Sequence, residues 1–264
     1  MTGSIAVDDV SKVFRRGEMT THALDRITLD VAEREFVSIV GPSGCGKSTL
    51  LRLICGLITP TEGAIRIGGR TVTGPIGDVG IVFQSPVLLD WRSALGNVLF
   101  QVEMRGLSAE SYTDRARALL SQVGLAEFEN RYPYELSGGM RQRCSIARAL
   151  IHDPATLIMD EPFGALDALT REQMRLDLEA LWLAREKTVL FITHSIDEAV
   201  LLSDRVVVMS PRPGRIERVI EVKMARPRGL EARKHADFLR VTEEITGIFL
   251  KRGVLSRGAA GAAS

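Results

Sequence analysis

The sequence has few cysteines, no excess of charge of one sign and no long hydrophobic run. Its three cysteines form no CxxC pair, which argues against a disulfide framework and predicts free, buried thiols. No window of about 18 uncharged apolar residues is present, so no segment is expected to span a bilayer. The four histidines do not cluster, and the first residues show no secretion signal. We therefore expect a cytosolic protein without a structural metal site.

The charge of the chain is almost balanced. Lys and Arg number 34 and Asp and Glu 33, a net charge of +1. Nucleic-acid-binding proteins usually carry a basic excess, so no nucleic-acid partner is predicted. With 264 residues, 45% hydrophobic and 25% charged, the chain is neither disordered nor collagen-like. This length suits one large domain or two modest ones.

Strand-like and helical patterns alternate after a mainly β start. Apolar or alternating runs predict strands at 27–31, 35–40, 64–69, 79–83, 156–160, 188–193 and 205–209. Between about 90 and 150 the β-branched runs give way to helix formers, which indicates a helical insertion. These patterns predict an α/β core with β and α additions.

Local signals mark the ends of two helices and the end of the chain. Gly56 suits a helix C-terminus, and Ser195 to Glu198 fits a capping box in which the glutamate reaches back to the serine amide. Residues 258–264 are expected to be a frayed tail. A last amphipathic helix is outlined by Phe238, Val241, Ile245, Ile248 and Phe249.

The segment 41–48 fits the pattern G-x-x-x-x-G-K-[ST] between a strand and a helix. Its glycines let consecutive amides face a phosphate, and the helix adds unpaired amides and the positive end of its dipole. Lys47 supplies a charge for the β and γ oxygens, and the Ser48 hydroxyl can ligate Mg²⁺. This pattern alone does not separate a kinase, a GTPase and an ABC-type ATPase. The predicted nucleotide contacts here are Gly41, Pro42, Ser43, Gly44, Cys45, Gly46, Lys47, Ser48 and Thr49.

Two acids end the apolar strand at 157–160. In a P-loop fold this strand is expected beside the phosphate loop, which brings Asp160 to the metal. Glu161 follows at once and could polarise an attacking water, and a general base contributes typically about 10²–10⁴-fold. We interpret Asp160 as a metal ligand and Glu161 as the catalytic carboxylate.

A second anion-binding end is predicted where Ser137, Gly138 and Gly139 open a helical run. Residues 41–48 already bind the phosphates of one ATP, so that nucleotide does not require a second anion-binding helix end from the same chain. Two copies arranged head to tail would each complete the site of the other, with two nucleotides in the seam.

Taken together, these segments resemble an ABC transporter ATP-binding subunit. The phosphate loop resembles the Walker A motif, residues 136–140 the signature motif, and residues 157–160 with Glu161 the Walker B motif. The resemblance covers about residues 4 to 222, with the motifs in the order of the family. It implies an α/β fold with a P-loop NTPase core, an N-terminal antiparallel β-subdomain and a helical subdomain. The ATPase domain then covers 1–222, with the helical subdomain inserted at about 90–150, and a short C-terminal helical extension and frayed tail cover 223–264.

Further single residues match the family by position. Gln84 resembles the Q-loop glutamine, Ala165 to Asp167 the D-loop and His194 the switch histidine, while Phe14 stands where an aromatic stacks on adenine. The resemblance implies ATP and Mg²⁺ as cofactors, and Asp167 as a further nucleotide contact. The catalytic residues it implies are Glu161, His194, Gln84 and Lys47, and the metal ligands Ser48, Gln84 and Asp160.

Two motifs depart from the family pattern, and three other segments resemble one group of importers within the family. Met140 replaces the usual final glutamine of the signature, and Arg34-Glu35 replaces a common Gly-Glu. Segments 74–84, 88–91 and 210–216 resemble importers of nitrate, sulfonates or taurine, although Asp90 stands where proline is frequent.

The resemblance implies a dimer of this chain or of homologous subunits. It also implies two separate permease subunits, a solute-binding protein acting indirectly, and a peripheral position on the cytoplasmic face of the membrane. Import of a thiamine pyrimidine precursor, or a non-transport ABC ATPase, remain the alternatives.

Overall fold

The protein is described by a computed structural model over residues 3–164 and 166–255. Within these residues the chain forms ten strands and seven α-helices, joined by turns and short 3₁₀ segments. Strands β1 to β10 are Ile5–Arg16, Met19–Val31, Phe36–Val40, Glu62–Ile67, Arg70–Thr71, Val79–Val82, Thr156–Asp160, Thr188–Thr193, Arg205–Met209 and Ile216–Glu221. Helices α1 to α7 are Lys47–Ile54, Ala94–Glu103, Thr113–Gln122, Gly138–Leu150, Ala168–Leu183, Ile196–Leu202 and Ala236–Lys251.

The smaller sheet is the predicted N-terminal β-subdomain. Its strands lie antiparallel in the order β2-β1-β4-β5. Alternate residues of β1 and β2, such as Val7 and Ile27, are fully buried. They share a hydrophobic cluster with Leu50 and Leu53 of α1 and with one face of the larger sheet. The subdomain is therefore packed onto the core through α1.

The larger sheet has the order β10-β9-β3-β8-β7-β6. The strands from β9 to β6 are parallel, and β10 pairs antiparallel with β9 at the edge. β3 and β8 are buried along their whole length, because helices or the smaller sheet cover both faces. Parallel strands end at one edge of a sheet, so the segments after β3, β6, β7 and β8 converge there.

The helical subdomain is confirmed between the sixth and seventh strands. It consists of α2, α3 and α4 with short 3₁₀ turns. Val98, Leu120 and Cys144, one from each helix, are fully buried and share a cluster with Met159 of β7. The subdomain and the sheet therefore have a continuous core.

The C-terminal helix α7 packs on α6 and on β9 and β10. Val241 and Ile245 are fully buried against Val200 and Val206, and Ile248 is partly buried, as its position in the pattern predicts. The expected tail 258–264 lies outside the described residues. The division of the chain at residue 222 stays a prediction.

The capping box at α6 is only half formed. Ser195 Oγ accepts the predicted hydrogen bond from the Glu198 amide at 3.3 Å. The predicted return contact is wrong: the Glu198 carboxylate accepts from Thr193 Oγ1 at 2.5 Å, and the Ser195 amide donates to that same hydroxyl at 3.0 Å. The threonine hydroxyl bridges the two groups that the box would join directly.

Candidate active site

The loop after β3 has a backbone that only glycine permits at two positions. Gly44 and Gly46 have φ of +75° and +105°. A Cβ on Gly46 would lie 2.6 Å from Leu24 Cδ2. Gly46 is also the N-cap residue of α1 and places no side-chain hydrogen bond on the first turn. The first amides of α1 are therefore open to an anion, as a phosphate-binding helix end requires.

Lys47 lies inside this loop. Its side chain is buried, and Nζ donates to the carbonyl oxygens of Gly41 at 2.8 Å and Pro42 at 3.1 Å. These contacts hold the ammonium at the concave side of the loop. Its third contact is the weak acceptor Cys45 Sγ at 4.0 Å, and a buried cation with such neutral partners has a strong preference for added oxygen acceptors such as phosphate.

Asp160 reaches the phosphate loop from β7. β8 lies between β3 and β7, so the strand carrying Asp160 does not pair with the strand before the loop. Ser48 Oγ nevertheless donates to Asp160 Oδ1 at 3.3 Å. Burial raises the pKa of the Asp160 carboxyl, and the Ser48 hydroxyl opposes that rise. The two oxygens face each other at the carboxyl edge of the sheet.

Glu161 joins the segments that follow three different strands. Its Oε2 accepts a hydrogen bond from Gln84 Nε2 at 3.2 Å, and His194 Nδ1 lies 3.2 Å from the same oxygen. The backbone of Glu161 has φ of +45°, which is uncommon outside glycine, and its amide donates to the Ile192 carbonyl at 2.8 Å. This conformation turns the carboxylate out of the strand toward the glutamine and the histidine.

Ser137 lies at the start of α4 as the sequence predicts. It is the N-cap residue, and its Oγ accepts from the Met140 amide at 3.2 Å. Ser137 and Gly138 are exposed, whereas Gly139 is buried against α5. Among the described residues, no hydrogen bond connects 137–139 with the phosphate loop. The two anion-binding ends are thus not joined within one chain.

Comparisons with known proteins agree with this geometry. The family model described as ABC transporter matches residues 24–164. An uncharacterized ABC transporter ATP-binding protein of Methanocaldococcus jannaschii is 47% identical over 97% of this chain and 94% of its own length. The chain belongs to the ABC transporter family.

Two further matches have names that describe ATP binding or hydrolysis. A taurine import ATP-binding protein of Rhizobium johnstonii is 52% identical over 80% of this chain and 81% of its own length. A dimeric, post-hydrolysis ATP-binding cassette bound to ADP and Pi has a TM-score of 0.75 and 34% identity, covering 84% of this chain and all of that chain. The cassette is an ATPase that uses ATP and Mg²⁺.

The donor atoms of the cassette suit Mg²⁺. Ser48 and Asp160 present a hydroxyl and a carboxylate oxygen 3.3 Å apart, and Mg²⁺ is usually held by one or two such groups together with phosphate oxygens. The raised pKa of Asp160 reflects a buried carboxylate with no cation bonded to it in the described contacts. A divalent ion would offset this burial, so the residues fit the metal.

Two predicted nucleotide contacts have other partners in the structure. The Phe14 ring is 42% exposed, and Lys12 Nζ lies 5.1 Å from its centroid. Asp167 is the N-cap residue of α5, and hydrogen bonds from Thr170 and from the Leu169 amide lower its pKa. Ala165, predicted with Asp167 as part of one motif, lies outside the described residues. The roles of Phe14 and Asp167 in nucleotide binding stay predictions.

The phosphate loop is supported by a segment that the sequence pattern does not connect with it. Arg212 Nε donates to the Gly44 carbonyl at 3.3 Å, and a Cβ on Gly214 would overlap the Cys45 carbonyl. The resemblance of segment 210–216 to importers gives this segment no role at the phosphate loop. Its Pro-x-Pro-Gly pattern predicts a turn, and nothing in the pattern identifies the loop on which that turn packs.

None of the helices in 3–164 and 166–255 has the length and apolar content needed to cross a bilayer.

Proposed function

We propose that this ABC cassette is the ATP-hydrolysing subunit of an importer for a small solute such as nitrate, an alkanesulfonate or taurine. The 52% identity to a taurine import ATP-binding protein supports this class. The solute itself is selected by other subunits. Two permease subunits and, through them, a solute-binding protein are the proposed partners, at the cytoplasmic face of the membrane.

One observation carries the mechanism. The edge of the sheet brings together Lys47, Asp160 and Glu161, whereas Ser137 remains exposed at the start of another helix. Among the described residues this helix end makes no hydrogen bond to the phosphate loop of its own chain, which fits a second copy that supplies the phosphate. We infer a head-to-tail dimer in which Ser137, Gly138 and Gly139 complete the site of the partner.

The residues of the cassette divide the work of hydrolysis. Lys47 and the amides at the start of α1 bind the β and γ phosphates, and Ser48, Asp160 and Gln84 would hold Mg²⁺. When bound, Mg²⁺ neutralises charge that develops on the phosphate oxygens. Glu161 orients the attacking water, and His194 holds Glu161 and faces the γ-phosphate. Catalysis of this kind is mostly positioning and charge stabilisation.

Closure of the dimer is proposed to move the permease subunits. They would dock near Gln84 and the helical region that follows it, where the Trp91 side chain is 74% exposed. Exposed aromatic side chains are frequent anchors in protein interfaces. Hydrolysis would separate the dimer and reset the membrane subunits.

The test is whether transport substrate controls turnover. The cassette is copurified with its membrane subunits, placed in lipid vesicles, and its ATP turnover is measured with nitrate, taurine and an alkanesulfonate in turn. We expect one solute to raise turnover severalfold, with Glu161→Gln as the inactive control. Stimulation by DNA or ribosomes, without response to membrane subunits, would instead support a non-transport ABC ATPase.

A further inference from the structure

The segment after β10 is tied to the two helices that flank the candidate active site. Arg233 lies in the 3₁₀ segment Leu230–Lys234, just before α7. Its guanidinium donates to both carboxylate oxygens of Glu172 on α5, at 3.2 and 2.7 Å. It also donates to Asp197 Oδ2 on α6 at 3.4 Å. One cation from the C-terminal extension therefore bridges an acid on each helix.

Arg233 is the cation that the two acids share, and Glu172 also accepts hydrogen bonds from Arg175. Glu172 and Asp197 would otherwise present two carboxylates to the space that Arg233 occupies, and like charges repel. The hydrogen bond from Arg233 is the largest cause of the fall in the pKa of Glu172 to about 2, and Arg175 adds to it. Arg175 itself is buried and donates to the Arg228 carbonyl at 2.9 Å. The extension is thus fixed to α5 through Arg228, which also donates to the Val200 and Ser203 carbonyls at the end of α6, and Arg233 contacts the first turn of α6.

The first turn of α6 holds the segment that carries His194. Asp197 lies in this turn, and its neighbour Glu198 accepts from Thr193 Oγ1. Thr193 and Ser195, on either side of His194, are hydrogen-bonded to each other through the amide of Ser195. A shift of the turn that contains Asp197 therefore shifts the backbone of His194, and with it the contact of the imidazole with Glu161.

We propose that Arg233 is a positioning residue for His194, through Asp197 and the first turn of α6. This inference rests on the proposed function, because it assigns His194 a role in turnover. The C-terminal extension then acts as part of the frame of the active site, and not only as a cover for the hydrophobic face of β9 and β10. A second connection, from Arg171 to Glu198 at 3.7 Å, lies entirely within the ATPase core.

The test compares Arg233→Ala with Asp197→Asn. Both variants break the connection to α6, but only the first also removes the two-oxygen contact with Glu172 on α5. We expect kcat for ATP to fall about fivefold in each, with KM nearly unchanged and no further loss in the double variant, since positioning errors act on the reacting state. The thermal midpoint is expected to fall more in Arg233→Ala than in Asp197→Asn.

Lys234→Ala is the matched control, because this neighbouring cation pairs only with the exposed Glu231 among the described contacts. Hydrogen exchange gives a second readout that does not need turnover. The backbone amides of 194–199 should exchange faster than in the wild type in both variants, and at the wild-type rate in Lys234→Ala. Loss of kcat in proportion to the thermal midpoint, or unchanged kcat and exchange, would overturn the inference. ATP turnover at the wild-type rate in Glu161→Gln would instead overturn the proposed function.

Discussion

The Glu161 carboxylate is held by two neighbours on separate segments. Gln84 and His194 both lie 3.2 Å from the same oxygen, Oε2, and the positive φ of Glu161 turns its side chain toward them. An amide in place of the carboxylate keeps nearly the same shape but cannot accept a proton from water. A substitution that tests Glu161 should therefore remove the charge of its side chain and keep its packing.

We expect Glu161→Gln to retain ATP binding and to lose most turnover, by about 10²–10⁴-fold, the range of a positioned general base. ATP affinity and single-turnover hydrolysis measure the two effects separately. Glu231→Gln is the control, since that carboxylate is exposed and pairs with Lys234. Hydrolysis at the wild-type rate in Glu161→Gln would remove this residue from its role.

At the scale of elements, the sequence pattern located the strands of the larger sheet well. β8 is predicted at 188–193 and found there, because a continuous apolar run is what a strand buried on both faces requires. The pattern does not predict β10, because Ile216–Glu221 reads apolar, charged, charged, apolar, apolar, charged and shows neither strict alternation nor a continuous apolar run. The cap of α6 was half wrong, because Thr193 lies just before the four-residue pattern and takes one of its partners.

The start of α4 packs closely against the start of α5. A Cβ on Gly139 would lie 2.8 Å from Thr170 Cγ2, whereas a Cβ on Gly138 would meet nothing within 4 Å. Gly139 therefore permits the close approach of the two helices, and Gly138 does not take part in it. The order of the glycines in the sequence gives no sign of this difference.

We expect Gly139→Ala to lower the free energy of unfolding by about 1–3 kcal/mol, the usual cost of overpacking, and Gly138→Ala to leave it nearly unchanged. Thermal or denaturant unfolding measures both. Thr170→Ser removes the methyl group that the new Cβ would strike and keeps the hydroxyl, so it should restore most of the loss in Gly139→Ala. Equal destabilisation by the two alanines would contradict the contact.

At the scale of the whole molecule, the resemblance to ABC ATPases implies which residues meet at one sheet edge but not what holds them there. Parallel strands with polar residues at their carboxyl ends indicate convergence, and the contacts of Asp160 and Glu161 confirm it. The support by Arg212 depends on residues about 170 positions apart, and no local pattern carries that information. The dimer is a further step, since it requires two chains.

Ser137 has two roles that a substitution can separate. Its hydroxyl caps α4 through the Met140 amide, and the proposed dimer uses the same helix end to face the phosphate of the partner's ATP. Aspartate is as good a cap as serine. Ser137→Asp should therefore fold and bind ATP in its own loop, while its negative charge repels the phosphate of the partner and abolishes turnover.

Mixing two inactive variants tests the composite site directly. A heterodimer of Ser137→Asp and Glu161→Gln has one site with an intact phosphate loop, an intact Glu161 and an intact signature, and one site with both defects. Because about half of the dimers in an equal mixture are heterodimers and each has one good site of two, we expect about a quarter of the wild-type rate. Turnover measured across mixing ratios should rise and fall with a maximum at equality. A mixture no more active than its components would show that each chain hydrolyses ATP with its own signature residues or with none.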